Sequence, residues 1–293
     1  MRIGDLIRAS DKPFFSLEFF PPASEAQLGE FFAIADELAA LKPLYASVTY
    51  GAGGARRQNT LRVTAELARR GLDVMAHLTC VGATAAEIRK FVSGLQANGV
   101  NNILALRGDP PKDGQWSWEQ GEFRHAADLV RFARPQFPDL GIGVAAYPAP
   151  HPEAASFEED RRHTAEKLAA GADFAITQVF FDPREYVELV RSLHQKGIDA
   201  PVVPGILPIQ SLESVKRVLS MCGANIPGKF FLELEDAQAK GGVEAVREAG
   251  FRYAARQIRQ LLAAGAPGIH LYTLNRSGLS KRLICECGLG GAG

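Results

Sequence analysis

Apolar, β-rich runs recur along the chain at intervals of about thirty residues, and stretches with helical apolar spacing fill the gaps between them. The pattern predicts strands at 15–19, 45–50, 73–78, 102–107, 142–147, 174–179, 202–206 and 269–274. The first helix is expected to open at Ser24, with Gln27 in capping-box position, before Leu28, Phe31, Phe32, Ala35 and Leu38. Thr84 and Glu87 repeat that signature ahead of Ile88, Phe91, Val92 and Leu95. Further helices are expected at about 57–70, 125–137, 158–170, 184–196 and 211–220, several of them ending at a glycine such as Gly71, Gly99, Gly171 or Gly197.

Strand–helix alternation specifies parallel strands joined by helical crossovers. Eight such units predict an α/β fold, a single (β/α)8 TIM barrel over residues 1–293. The gap before the last strand is about twice the usual unit, so extra helices are expected there. No Pro/Gly/Ser linker or charge block divides the chain, and a flexible tail is expected at about 288–293.

Charge narrows the partners. Lys+Arg and Asp+Glu are equal at 33 each, a balance that favours neither nucleic acid nor an acidic membrane surface. No apolar run approaches the roughly 18 residues of a membrane span, and the N-terminus does not read as a signal peptide. Cys80, Cys222, Cys285 and Cys287 lack metal-ligand spacing and read as reduced thiols, so a cytoplasmic protein is expected. The histidines are scattered, which gives no metal site; GxGxxG, Walker and GxSxG signatures are missing.

In barrels of this kind the reacting groups gather at the carboxyl ends of the strands. Here those ends carry Glu18, Thr49-Tyr50, His77, Arg107-Gly108-Asp109, Tyr147, Gln178 and Tyr272 through Arg276. Glu18 sits within Phe15-Ser16-Leu17-Glu18-Phe19-Phe20, where alternation puts Ser16, Glu18 and Phe20 on one face and Phe15, Leu17 and Phe19 on the other. A carboxyl at the end of so apolar a strand is poorly hydrated, which favours the protonated form that a general acid needs. The plainer reading is a strand-end carboxylate paired with an arginine. Arg107 suits a phosphate or a ring carbonyl, and Gly108 lets a flat ligand approach; a local Arg107–Asp109 ion pair is the bland alternative. His151 lies in a proline-rich loop after Tyr147, and Asp160 and Lys167 share a helix face suited to a ribityl chain and a phosphate, or simply to solvent. Trp116, Trp118 and Phe123 mark a loop that is either a lid or a surface segment pinned by aromatics.

Together these residues resemble the methylenetetrahydrofolate reductase family in its short bacterial form. The matching stretches include Leu17 to Pro22, Ser47 to Ala52, His77 to Cys80, Leu104 to Asp109, Ala145 to Pro148, His151 to Ala154, Ile176 to Gln178, Pro204 to Pro208 and Tyr272 to Arg276, in family order over nearly the whole chain. The resemblance implies a barrel with non-covalent FAD that takes a hydride from NADH or NADPH. The hydride would pass to 5,10-methylenetetrahydrofolate in a ping-pong cycle, giving 5-methyltetrahydrofolate for one-carbon metabolism and methionine biosynthesis. Glu18 matches the general acid that protonates N10, and Asp109 the aspartate that binds the pterin and tunes the flavin. The FAD positions carry over to Thr49, Tyr50, Ala52, His77, Arg107, Gly108, Asp109, Tyr147, His151, Ala154, Asp160 and Lys167. Folate contacts carry over to Glu18, Thr49, Asp109, Gln178 and Arg276. Ser214 and Val218 depart from the glutamine and phenylalanine that some bacterial members carry near the nicotinamide and folate site, and His163 and Glu166 also depart. Family resemblance implies homo-oligomers through the outer surface and no C-terminal regulatory domain. The competing readings are a pterin-dependent methyltransferase barrel, a flavin barrel acting on an amino acid, and a non-catalytic folate- or flavin-binding barrel.

Overall fold

The alternating pattern builds a barrel of parallel strands whose interior and exterior faces carry different chemistry. The computed structural model describes residues 1–50, 54–109 and 121–290, with backbone alone for 54–58. The strands among them are β1 Phe14–Phe19, β2 Ala46–Val48, β3 Val74–Thr79, β4 Asn102–Leu106, β5 Gly141–Ala146, β6 Phe174–Thr177, β7 Val202–Val203, β8 Gly205–Ile206 and β9 Gly268–Tyr272. They run in the spatial order β7-β6-β5-β4-β3-β2-β1-β9-β8, all parallel.

The seventh expected strand, 202–206, is divided at Pro204. A proline cannot donate to a ladder. Val202 and Val203 therefore pair with β6, whereas Gly205 and Ile206 pair with β9. The two halves bring the ends of the sheet together through one stretch of chain. Gly205 is required there: a Cβ would lie 2.5 Å from the Thr177 carbonyl and 2.7 Å from the Tyr272 ring.

Around the strands lie α2 Leu28–Ala39, α3 Gly54–Arg69, α4 Ala85–Gln96, α5 Ala126–Gln136, α6 Phe157–Ala169, α7 Pro183–Gln195 and α8 Leu212–Cys222. The extra helical segment expected before the last strand is the 36-residue α9, Gly228–Ala263, broken at Gly242, where φ is 62°. Thr84 and Glu87 form the expected capping box, but Ser24 makes no side-chain cap and leads into a short 3-10 turn, Glu25–Gln27. Two helices escaped the periodicity, α1 Ile3–Ala9 and α10 Ser277–Glu286, each too short to show a repeated stripe. Leu289 packs on the main core, and residues 291–293 lie outside the described set. No described helix is long and apolar enough to cross a membrane.

Parity along each strand sorts the side chains. Phe15, Leu17, Phe19, Ala46, Val48, Ala76 and Leu78 face the helices and form the main core. Phe14, Tyr45, Met75, Leu104, Phe174, Ile176 and Val203 form a second cluster with Ile3 and Ile7 of α1. α1 thus plugs the amino-terminal end of the barrel with apolar side chains. Asp173, at the head of β6, anchors the plug: its carboxylate meets Arg2 and Arg134 and accepts the Ile142 amide at 2.7 Å. Arg8 donates to its carbonyl at 2.9 Å. Asn102 adds a second tie, accepting the Ile3 amide at 2.8 Å and donating to the Met1 carbonyl at 2.9 Å.

Removing one partner from a buried ionic cluster leaves uncompensated charge and costs about 3–5 kcal/mol. Asp173→Ala is therefore expected to lower the midpoint of urea or thermal unfolding by a corresponding amount. An unchanged midpoint would show that the α1 plug does not depend on the anchor.

Candidate active site

With the amino-terminal end plugged, the carboxyl-terminal mouth is where polar groups converge. Glu18 projects into the barrel from β1 and is 6% exposed. Its apolar sequence neighbours point the other way, into the helix layer. What faces the carboxylate is polar. Oε2 lies 3.4 Å from His77 Nε2 and 3.6 Å from His270 Nε2. Ser47 Oγ sits between the rings, 3.3 Å from His77 Nε2 and 3.4 Å from His270 Nε2. Below them Ser16 Oγ is 2.8 Å from His270 Nδ1. Strand register explains the grouping, because Glu18 is level with Ser47 and Tyr272, and Ser16 with His270. The expected apolar setting of Glu18 is thus replaced by an imidazole setting.

Burial dominates the electrostatics of this cluster. It pushes the His77 imidazole down to about 4, against the upward pull of Glu18 and with His270 adding to the depression. His77 is neutral at physiological pH. Tyr272, half-buried, is pushed well up by desolvation with Glu18 contributing, and its hydroxyl donates to the Thr177 carbonyl at 2.6 Å.

The segment after β9 locks the backbone behind Glu18. Thr273 Oγ1 donates to the Glu18 carbonyl at 2.6 Å. Asn275 pairs with both backbone groups of Phe20, accepting its amide at 2.9 Å and donating to its carbonyl at 2.7 Å. Leu274 and Asn275 adopt left-handed φ values of 51° and 53°. A leucine held there is strained, and the paired Asn275 amide fixes the turn that strains it.

A second group lies across β4, β5 and α6. Arg107 is ion-paired to Glu153 at 2.6 Å. Gly108 has φ 83°, and a Cβ there would sit 2.8 Å from Thr79 Cβ, so this approach needs glycine. Asp109 is exposed beside them. Tyr147 is edge-on to His151 at 5.0 Å, and burial pushes its phenol up to about 12. His151 Nδ1 accepts the Glu153 amide at 3.1 Å, while its carbonyl accepts the Ala154 amide at 2.8 Å. Lys167 donates to the Ala145 carbonyl at 2.5 Å and lies 5.8 Å from the Tyr147 ring centroid. Burial pushes its ammonium down to about 8, opposed by Asp160. Asp160 is 6% exposed, and its Oδ2 has no hydrogen-bond partner; the buried Thr164 hydroxyl is likewise unmatched. Buried polar atoms left unpaired cost about 1–3 kcal/mol each, which sets these two apart from the engaged charges around them.

Other expected residues are placed less centrally. Tyr50 packs edge-on against Phe91 of α4 at 5.5 Å, on the helix side of the barrel. Thr49 accepts from Thr60 through its carbonyl. Gln178 Oε1 accepts the Val179 amide at 2.7 Å. Arg276 is exposed at the start of α10 and lines a cavity with Gln210, Arg247 and Arg282. Ser214 is spent in the capping box of α8, and Val218 packs in the cluster beneath it. His163 stacks on His125 at 5.8 Å and meets Glu166 at 3.2 Å. Ala52, Trp116 and Trp118 lie outside the described residues, while Phe123 is buried against Phe132. Sequence reasoning passed over His270, Ser16 and Ser47 as site residues. Their shared parity with Glu18 was the available signal, but only the register brings them together.

Comparison with known proteins bears on the family and the fold. A family model described as methylenetetrahydrofolate reductase matches residues 2–288. The 5,10-methylenetetrahydrofolate reductase of Salmonella typhimurium is 37% identical over 276 residues, covering 94% of this chain and 90% of that protein. Methylenetetrahydrofolate reductase (NADH) 1 of Arabidopsis thaliana is 34% identical over 305 residues, covering 99% of this chain. The chain spans about half the length of the plant and yeast relatives it matches. Among solved structures, a Clostridium thermocellum protein that binds two copies of 5-methyl-5,6,7,8-tetrahydrofolic acid superposes with a TM-score of 0.65, covering 98% of each chain at 12% identity, a likeness of fold alone. The ordered motifs, the barrel and the match across nearly its whole length establish that the chain belongs to the methylenetetrahydrofolate reductase family.

Proposed function

We propose that the protein reduces 5,10-methylenetetrahydrofolate to 5-methyltetrahydrofolate with a reduced nicotinamide as donor. The observation that carries this reading is the setting of Glu18: a buried carboxyl at the mouth of the barrel whose Oε2 lies 3.4 and 3.6 Å from two imidazoles. A buried carboxyl at the mouth, among imidazoles and hydroxyls, is placed to give a proton to a ligand bound there. Opening the folate's five-membered ring requires protonation at N10, and Glu18 supplies that proton. The methylene at N5 then becomes an electrophilic iminium, ready for hydride.

FAD fits the second group of residues. Arg107 and Lys167 would hold phosphate, and the unmatched Asp160 carboxylate and Thr164 hydroxyl would meet polyol hydroxyls. Gly108 would give the flat ring system close approach to the backbone, with Tyr147, His151, Ala154, Thr49 and His77 around it. Bound there, FAD would supply the redox chemistry, accepting hydride from the nicotinamide and delivering it to the folate. Asp109 would bind the pterin and bias the site electrostatically, and Gln178 and Arg276 would contact the rest of the folate. The nicotinamide and the folate would use one pocket in turn.

Purified protein is expected to show a flavin spectrum that bleaches anaerobically with NADH and recovers on adding methylenetetrahydrofolate. Colourless protein that cannot be reconstituted with FAD would instead favour a pterin-dependent methyltransferase. Glu18→Gln should cut folate reduction by about 10²- to 10⁴-fold, the usual worth of a general acid, with nicotinamide-dependent bleaching retained. Equal loss in both would remove Glu18 from the acid role.

Asp109→Asn is expected to weaken folate binding and raise the flavin potential, measured by folate titration and by redox titration against a dye. If neither moves, the aspartate is structural.

Lys167 gives a test without turnover. Its ammonium is depressed from 10.5 to about 8, so the unfolded chain binds this proton more tightly than the folded one. The destabilisation is fully present below pH 8 and fades as pH rises towards 10.5. Lys167→Met should therefore raise the unfolding midpoint of flavin-free protein at pH 7, flatten the gain in stability above pH 8, and weaken FAD binding. Unaltered FAD affinity would take Lys167 out of the cofactor site.

A further inference from the structure

We propose that His125 and His163, paired across α5 and α6, form a proton-linked clamp for the cofactor's phosphates and take up a proton when an anion seats against them. The inference rests on the FAD reading given above.

Helix geometry puts His163 on the proposed cofactor surface. Residues three, four and seven apart share a helix face, so Asp160, His163, Thr164 and Lys167 form one stripe along α6. His125 immediately precedes α5, and its ring stacks on His163 with centroids 5.8 Å apart and planes 19° apart. The protons on His163 follow from its neighbours. Burial would raise the Glu166 carboxyl, but its hydrogen bonds with His163 and Arg162 outweigh that and hold it below the usual range. An ionised carboxylate only accepts, so His163 Nδ1, 3.2 Å from Glu166 Oε2, carries the hydrogen of the neutral ring. Nε2 is left as the nitrogen that gains a proton. Glu159 Oε1 stands 4.0 Å from it, beyond a hydrogen bond.

The pair resists charging by itself, because two imidazolium rings at this separation repel. The carboxylates nearby are engaged elsewhere. Glu166 also pairs with Arg162 at 2.5 Å. Asp128, on α5, accepts the Arg124 and His125 amides at 3.1 and 3.0 Å and meets Arg131 at 3.0 Å. The Asp160 carboxyl is raised by burial, opposed by Lys167, His151 and His163. A phosphate against both rings supplies the missing negative charge, so anion binding and proton uptake favour each other. The complex then holds more protons than the free protein. Affinity for FAD therefore falls as pH rises through the range in which imidazoles titrate, about pH 5 to 8. The cofactor's pyrophosphate keeps its charge throughout that range, so the slope belongs to the protein. Lys167, pushed down to about 8 by burial, adds a separate step at higher pH.

The test is release of FAD from the holoenzyme on dilution, read as the rise in flavin fluorescence between about pH 6 and about pH 7.5. The Kd is expected to loosen by about 10-fold over this interval, as linkage to roughly one proton requires. His163→Asn and His125→Asn should each flatten that slope and leave the Lys167 step near pH 8 in place. Should an asparagine variant fail to fold, glutamine at the same position gives the same reading. A Kd that stays constant below pH 8 would overturn the proposal, as would an unaltered slope in either variant. Protein that holds no flavin at any pH would defeat the cofactor reading itself, whereas bound flavin whose release ignores pH defeats only the clamp.

Discussion

A carboxylate buried inside a barrel must be surrounded by groups able to satisfy it, and much of this molecule is arranged around that requirement at Glu18. The interior face of β1 carries Ser16 and Glu18, and register brings Ser47, His77, His270 and Tyr272 to meet them. Apolar residues fill the lower interior and α1 closes it, so the polar layer borders water on one side only. Asn275 and Thr273 tie the last loop to the backbone on which Glu18 is mounted. Each feature restricts how the carboxyl can turn or be hydrated.

The division of the seventh strand at Pro204 belongs to the same arrangement. A continuous strand would carry an amide at this point, whereas the proline releases the chain to pair with β6 before it and β9 after it. His270 donates its amide to the Pro204 carbonyl at 2.9 Å, and Gly205 leaves room for Tyr272. Closure of the barrel and placement of the two β9 side chains beside Glu18 are thus one geometric event.

The second group, on β4, β5 and α6, is built differently. Its charges are partly engaged with one another, Arg107 with Glu153 and Lys167 with a backbone carbonyl, yet Asp160 and Thr164 keep unmatched atoms. Rigid backbone with unsatisfied polar atoms suits a ligand of many hydroxyls and phosphates. The Glu18 layer sets a buried carboxyl among imidazoles and hydroxyls, which suits proton transfer.

Much of this was legible in the chain. Strand positions followed from apolar runs because burial between two layers demands them, and the strand-end residues from Glu18 to Arg276 followed from barrel topology. Local chemistry dictated the Thr84 cap and the glycine at Gly108. What the sequence could not decide was the setting of each polar group. Glu18 reads as a carboxyl among phenylalanines, but alternation turns those rings outward, and the groups that face it come from β2, β3 and β9, up to more than 250 residues away. His270 reads as a solitary histidine, and Tyr50 as a mouth residue although its ring packs on α4. Sequence determines what lies next along the chain and on which strand face. Only the closed barrel determines what lies across the interior, because register between distant strands is fixed by packing of the whole sheet, not by any one segment.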